Sequence, residues 1–354
     1  MFSESFLSKW LPTFSGQSPQ AAEITKINII VTVVCTIIFL IVTVWVIYSI
    51  IRFRHRGETG EPDQQPLDHR IEIIWTVVPF LICIGLGWIT VASLFGPNNG
   101  EPLPNAKPDI IIGGAQWWWD VRYPDSGVIT ANEIHIPAGK PMTVQLDSYD
   151  VIHTFWVPDV GRKQQMIPGH HNTIVFQHNV PGQYMGVCAQ FCGNQHAWMR
   201  LLLIVDTPED YAAWIEKQKA ASKIPAGVEE VPAPIVAPVS FSGKAVSALT
   251  AAPAAPTLGE SGQSIARGYK LYKEQTCGTC HRIDGVSSAR YAPDLTHVAS
   301  RYTLGSGVIT DNNPETLYSW MKNPQAIKPG CNMPNFQFTD EQAHDLTNYL
   351  ETLK

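Results

Sequence analysis

The stretch CAQFCGNQHAWM, residues 188–199, sets two cysteines, a histidine and a methionine within one short run. Cys188 and Cys192 are four apart, His196 follows four later, and Met199 three beyond that. Soft sulfur donors beside an imidazole select copper over magnesium or calcium. A single blue copper needs one cysteine, so the pair points to two copper ions bridged by both sulfurs. Each copper then needs an imidazole, and the second is assigned to His153 in SYDVIHTFWVP. Met199 sulfur on one copper and the Gln190 backbone carbonyl on the other complete the set as weak axial donors. A disulfide between the cysteines is the competing reading, and it leaves His196 and Met199 without a role. The bridged pair offers no open position for a substrate; it suits the movement of electrons.

The segments around this loop read as strands. DIIIGG, NEIHIPAG, MTVQLDS, TIVFQ, GQYMGV and RLLLIVD, between Asp109 and Asp206, are rich in β-branched residues and separated by Gly, Pro and Asn turns. Strands this short and this closely spaced predict an all-β Greek-key sandwich or barrel. A helix should follow, with Thr207 as N-cap and Pro208 in its first turn.

Upstream, Ile27–Ile51 and Ile73–Gly96 carry no charged residue. Each exceeds the ~20 apolar residues of a spanning helix, so residues 1–97 are expected to form a two-helix transmembrane hairpin with helices near 27–51 and 73–96. The loop between them carries Arg52, Arg54, Arg56 and Arg70. The positive-inside rule puts that loop in the cytoplasm and both termini outside. Glu72, in EIIWT, lies at the cytoplasmic mouth of the second helix. It reads either as an interfacial carboxylate with its head in water or as a proton-entry group for a partner.

Downstream, residues 220–262 are Ala/Pro-rich without sustained period and predict an extended linker. It separates the β domain, residues 98–219, from a helical unit at 263–354. There SIARGYKLYKEQ is amphipathic, PETLYSWMKN is a short helix, and TDEQAHDLTNYLETLK opens with Thr339 and Gln342 in capping-box spacing. Cys277-Gly-Thr-Cys280-His281 is a haem c attachment motif: two thiols for thioether links and an adjacent axial imidazole. Met333, in CNMPNF, is the expected sixth ligand, with His297 and His344 as rivals. Met321, beside Trp320, is expected in the core, and Cys331 as a small buried thiol.

The formal charge is −6, with twelve acids against eight bases over 98–219 and nine of each over 263–354. No basic patch suits nucleic acid. The seven cysteines, an odd count with pairs next to histidines, argue for metal or haem attachment over a disulfide framework.

Taken together, the hairpin, EIIWT, QWWWDVRYPD, DVIHTFWVP and CAQFCGNQHAWM resemble subunit II of cytochrome c oxidase, and CGTCH…NMP resembles the cytochrome c extension of the fused bacterial type. The resemblance implies a cupredoxin-like domain holding a binuclear CuA centre, followed by an all-α class I cytochrome c domain with one covalent haem c. It implies a place in a bacterial cytoplasmic membrane, with the copper and cytochrome parts on the periplasmic or outer face. Partners would be a subunit I carrying haem and CuB, a subunit III, and a cytochrome c or quinol-oxidising complex as donor. The implied copper ligands are His153, Cys188, Gln190 (through its carbonyl), Cys192, His196 and Met199. Trp117 matches the electron-entry residue and Glu72 the acid at a proton-channel entrance. The implied function is passage of electrons from haem c to CuA and on to subunit I, for proton-translocating reduction of oxygen to water.

Two departures accompany the resemblance. Gln190 stands where family members often have Glu, which removes a carboxylate from an interface magnesium site. Gln165 and His170 flank Ile-Pro-Gly where Asp and Arg are usual; His170 and His171 read as surface or interface residues. Two other functions stay open: the CuA/cytochrome subunit of a nitric oxide reductase, and a membrane-held copper carrier, which would need no haem.

Overall fold

The computed structural model describes residues 16–55, 57, 60, 68–96, 100, 106–220 and 262–354. The expected linker lies outside the described residues except at its two ends, as does Arg56. Two compact units are present, residues 1–100 and 101–354.

The first unit is a helical pair. Helix α1 (Pro19–Arg52) starts where Ser18 Oγ accepts from the Ala21 amide at 2.9 Å, with Pro19 in the first turn. Helix α2 (His69–Leu94) starts where Asp68 accepts from the Arg70 amide at 2.9 Å. Both begin earlier than the apolar runs, because caps and not hydropathy set where a helix starts. The 34 and 26 residues correspond to roughly 51 and 39 Å at 1.5 Å per residue, beyond the ~30 Å of a bilayer core. Their outward faces are apolar; Trp45 is 72% and Trp88 73% exposed, as residues facing lipid would be.

The second unit begins with two five-stranded sheets. Their strands are β1 (Ile110–Ala115), β2 (Trp118–Tyr123), β3 (Val128–Ala131), β4 (Glu133–Pro137), β5 (Met142–Ser148), β6 (His153–Trp156), β7 (Gln164–Met166), β8 (Asn172–Phe176), β9 (Gly182–Cys188) and β10 (Arg200–Asp206). The order is β3-β2-β1-β5-β8 in one sheet and β4-β10-β9-β6-β7 in the other. The β1/β5 and β4/β10 pairs are parallel and the others antiparallel. Strand β5 shows the alternation of a half-buried strand, with Met142, Val144 and Leu146 inward. Ile110, Ile112, Trp119, Phe155, Leu201 and Leu203 join them in one core. Helix α3 (Pro208–Gln218) is capped by Thr207, whose side chain accepts from the Asp210 amide, and its Trp214 stacks on His135 at 3.9 Å.

Residues 262–354 are helical: α4 (Gly262–Glu274), α5 (Cys277–Cys280), α6 (Pro314–Lys322), α7 (Pro324–Ile327) and α8 (Asp340–Leu350). Asn313–Thr316 and Thr339–Gln342 form capping boxes at α6 and α8. Helices α4 and α8 cross at Gly268, where an added Cβ would lie 1.9 Å from the Asp345 carbonyl oxygen. Arg267 clasps the Asp345 carboxylate with bonds of 2.6 and 2.8 Å beside that crossing. Tyr269, Tyr272, Leu317, Trp320, Met321 and Leu346 fill the core.

Candidate metal and haem centres

The order of the second sheet positions the sulfur-rich loop. Strands β10, β9 and β6 are neighbours, so Met199 before β10, Cys188 at the end of β9 and His153 at the start of β6 come together at one end. Backbone bonds fix them there: Cys188 N donates to Met199 O at 3.0 Å, and Ala189 N to Thr154 O at 2.9 Å. The intervening residues turn through Cys192, and His196 opens a short 3₁₀ turn, His196–Trp198. His153 is fully buried and fits because Gly114 on β1 has no Cβ; one would lie 2.8 Å from its ring.

Cys188 Sγ lies 3.8 Å from Cys192 Sγ, almost twice a disulfide bond length of ~2.05 Å. Around the two sulfurs are His153 Nδ1 (3.8 Å from Cys188), His196 Nδ1 (3.6 Å from Cys192), Met199 Sδ (3.8 Å from Cys192) and the Gln190 carbonyl (3.2 Å from Cys188). Thus each imidazole faces a different sulfur, and the Gln190 carbonyl and the Met199 thioether likewise lie one on each. The Gln190 side chain is exposed, so only its backbone faces the site.

Asp150 and Gln116 support this cluster without having stood out in the sequence. Asp150 accepts from Gln116 N and Val151 N, both at 2.6 Å, and from His153 Nε2 at 2.8 Å. These bonds outweigh its burial and lower the Asp150 pKa. Burial alone would depress His153, but Asp150, with Cys188 next, outweighs it and raises the group to about 9. A proton held on Nε2 by a carboxylate leaves Nδ1 as the metal-facing nitrogen. The carboxylate three residues before His153 was the available signal for Asp150. For Gln116, whose side chain donates to the Cys192 carbonyl at 2.7 Å, no local signal existed. Trp117 donates its indole N–H to the same carbonyl at 3.1 Å.

The two thiols share charge unequally. The contact between the two sulfurs is the main reason that the Cys188 thiol pKa is lowered, and the same contact pushes Cys192 up. The positive charge of a bound metal would favour the thiolate form of both. Two thiols, two imidazoles, a thioether and a carbonyl converging in a buried pocket fit a copper pair.

In the haem motif, Cys277 and Cys280 occupy the single turn of α5. Thr276 precedes it with φ 61°, and His281 leaves it in extended conformation. His281 Nδ1–H donates to the Pro293 carbonyl at 2.7 Å, which leaves Nε2 for iron. Burial lowers the His281 pKa, favouring the neutral, ligating ring. Met333 packs partly buried on the same core as Cys277, and Gln325 Nε2 donates to its carbonyl at 2.7 Å. Gln325 Nε2 also lies 3.2 Å from the half-buried Cys331 sulfur. His297 has both ring nitrogens on carbonyls, Lys354 O and Gln218 O at 3.0 Å each. His344 stacks on Tyr318 at 4.2 Å. The His344 Nδ1 is buried with no hydrogen-bond partner among the described residues.

In the helical pair, Glu72 is on the first turn of α2 and pairs with His69 at 2.8 Å. Exposed His171 pairs with Asp147 at 2.6 Å, and neighbouring His170 is also exposed.

A pair of apolar helices, a sulfur-and-imidazole cluster on a β-sandwich and a haem-binding helical unit define a membrane electron-transfer subunit. Family models agree with each part: the cytochrome c oxidase subunit II transmembrane domain matches residues 11–94, its periplasmic domain 128–206, and cytochrome c 265–354. Cytochrome c oxidase subunit 2 of Alkalihalophilus pseudofirmus is 28% identical, over 97% of this chain and 91% of that one. Its counterpart from Thermostichus vulcanus is 31% identical, over 62% of this chain and 84% of that one. Among solved structures, the periplasmic domain of cytochrome oxidase subunit II from Bradyrhizobium japonicum is 31% identical, over 33% of this chain and 97% of that one, with a TM-score of 0.32. The chain belongs to the cytochrome c oxidase subunit II family, with a cytochrome c domain fused at its C-terminal end. As such it is part of a haem-copper oxidoreductase complex.

Proposed function

We propose that the chain conducts electrons from one covalent haem c to a two-copper CuA centre and on to haem in subunit I, for proton-translocating reduction of oxygen to water. The observation that carries this reading is the convergence of His153, Cys188, Gln190, Cys192, His196 and Met199 through contacts of 3.2–3.8 Å. When bound, the copper pair supplies a delocalised site that gains and loses one electron with little rearrangement. The residues contribute rigidity: Asp150 holds the His153 ring, the β9–β10 connection fixes both thiols, and burial excludes water. Cys277 and Cys280 would carry the haem, with His281 and Met333 as the residues that would hold its iron. Trp117, touching the Cys192 carbonyl, would couple the site to its donor.

The arginines around the interhelical loop support a cytoplasmic position for it, and hence a periplasmic position for both centres. Glu72, beside His69, would then stand at the proton-channel entrance. A subunit III and a cytochrome c or quinol-oxidising donor complete the proposed assembly. The domain limits are taken as 98–219 for the copper part and 263–354 for the cytochrome.

The test is turnover of the purified complex in vesicles with a reducing donor. Oxygen consumption with proton release on the side of the copper domain is expected. Nitric oxide consumption without oxygen consumption would sink the oxidase reading in favour of a reductase.

A further inference from the structure

Residues 262–354 touch residues 106–220 through the pieces of chain nearest each centre. Asn332, the neighbour of Met333, donates from Nδ2 to the Gln116 carbonyl at 2.9 Å. The Gln116 side chain donates in turn to the Cys192 carbonyl at 2.7 Å. Beside it, Ser306 Oγ donates to the Trp117 carbonyl at 2.9 Å, and the Trp117 indole shares the Cys192 carbonyl. The Gln116–Trp117 dipeptide is therefore gripped from both sides. Its side chains hold the copper loop, and the cytochrome holds its carbonyls.

The same junction accounts for two features that the copper and haem sites do not use. Glu133, 2% exposed in β4, accepts from Thr303 N at 2.7 Å and Thr303 Oγ1 at 3.0 Å. A buried carboxylate is costly without such donors. Gly305, Ser306 and Gly307 have φ of 60°, 63° and 72°, an arrangement that Ser306 adopts at a steric penalty. That turn brings Ser306 to Trp117, and a Cβ on Gly307 would lie 3.1 Å from Arg200 Cβ, so the turn sits flush against β10.

We propose that the cytochrome domain is seated on the Gln116–Trp117 face, closing it to a diffusing donor, with Asn332 and Gln116 as the positioning residues that join the Met333 loop to Cys192 of the copper loop. The inference rests on the electron-transfer reading above. In the step it concerns, one electron leaves ferrous haem, which becomes ferric, and reduces the copper pair by one; no proton or bond moves. The contacts across the junction are mainly neutral hydrogen bonds, and its charged members Glu133, the facing Arg301, and Lys328 are buried. Seating should therefore respond little to salt, unlike charge-steered docking of a separate protein.

The experiment uses the purified full complex, wild type and with Asn332→Ala, Asn332→Asp or Ser306→Ala. Pulsed EPR between oxidised copper and ferric haem should give a narrow distance distribution in the wild type and a broadened one in each variant. Flash-initiated transfer from haem c to copper should slow by about fivefold on loss of one neutral hydrogen bond. It should change little between low and high salt. Asn332→Asp, which keeps the volume but loses the donor, should behave as Asn332→Ala. Unchanged distances and rates in all three variants, or a wild-type rate that falls steeply with salt, would overturn the proposal. Absence of the copper or haem signals from the wild type would instead overturn the electron-transfer reading beneath it.

Discussion

The Asp150 carboxylate lies 2.8 Å from Nε2 of His153, and the opposite ring nitrogen lies 3.8 Å from the Cys188 sulfur. The carboxylate thereby chooses which nitrogen faces the metal. Asp150→Ala should weaken copper binding by roughly 10–100-fold, the usual effect of losing a ligand's orienting partner. Competition with a copper chelator measures this. An unchanged affinity would mean that packing against Gly114 orients the ring by itself.

Met333→Ala should convert the haem to a high-spin or weakly ligated form while leaving the copper signal intact. Absorption and EPR spectra of the same sample read both centres. An unaltered haem spectrum would require another sixth ligand, even though both nitrogens of His297 are engaged by carbonyls.

Gly268→Ala should destabilise the cytochrome portion by about 3 kcal/mol or more, because overpacking at a helix crossing displaces backbone. The added methyl group would meet the Asp345 carbonyl at 1.9 Å, where no flexible side chain can give way. Thermal unfolding followed at the haem should show the loss, with copper-site unfolding affected less.

Lys328 is 4% exposed, and burial lowers its pKa from 10.5 to about 8. Its ammonium donates to Gly305 O at 3.1 Å and Trp198 O at 3.4 Å. The folded form therefore binds fewer protons than the unfolded chain between the two values. Stability should rise as pH climbs from about 8 towards 10.5, by up to ~3 kcal/mol from this group. Comparing denaturant midpoints of wild type and Lys328→Met across that window isolates the contribution; parallel curves would contradict it.

What could be read beforehand follows from how local each signal is. The copper loop and the haem motif carry their donors in short, fixed spacings, so chemistry alone assembles them. His153 was reachable because a bridged copper pair demands a second imidazole. Strand β2 has no legible pattern because Trp118, Trp119, Asp120 and Val121 are all buried, and a strand covered on both faces has no period of two. Strand β7, at three residues, is too short to show one. The caps Ser18 and Asp68 lie outside the apolar runs, which is why both long helices begin earlier than hydropathy suggests. Asp150, Gln116 and the Asn332 contact depend on chain segments distant in sequence meeting in space, which no local pattern records.

If Cys188 and Cys192 together hold two coppers in a chain that also carries haem c, EPR of the oxidised, purified complex should show a mixed-valence signal with hyperfine structure from two equivalent copper nuclei. Copper and haem quantified on the same sample should give one haem for each chain alongside that signal. A single-copper hyperfine pattern, or a reversible Cys188–Cys192 disulfide with no bound metal, would contradict this.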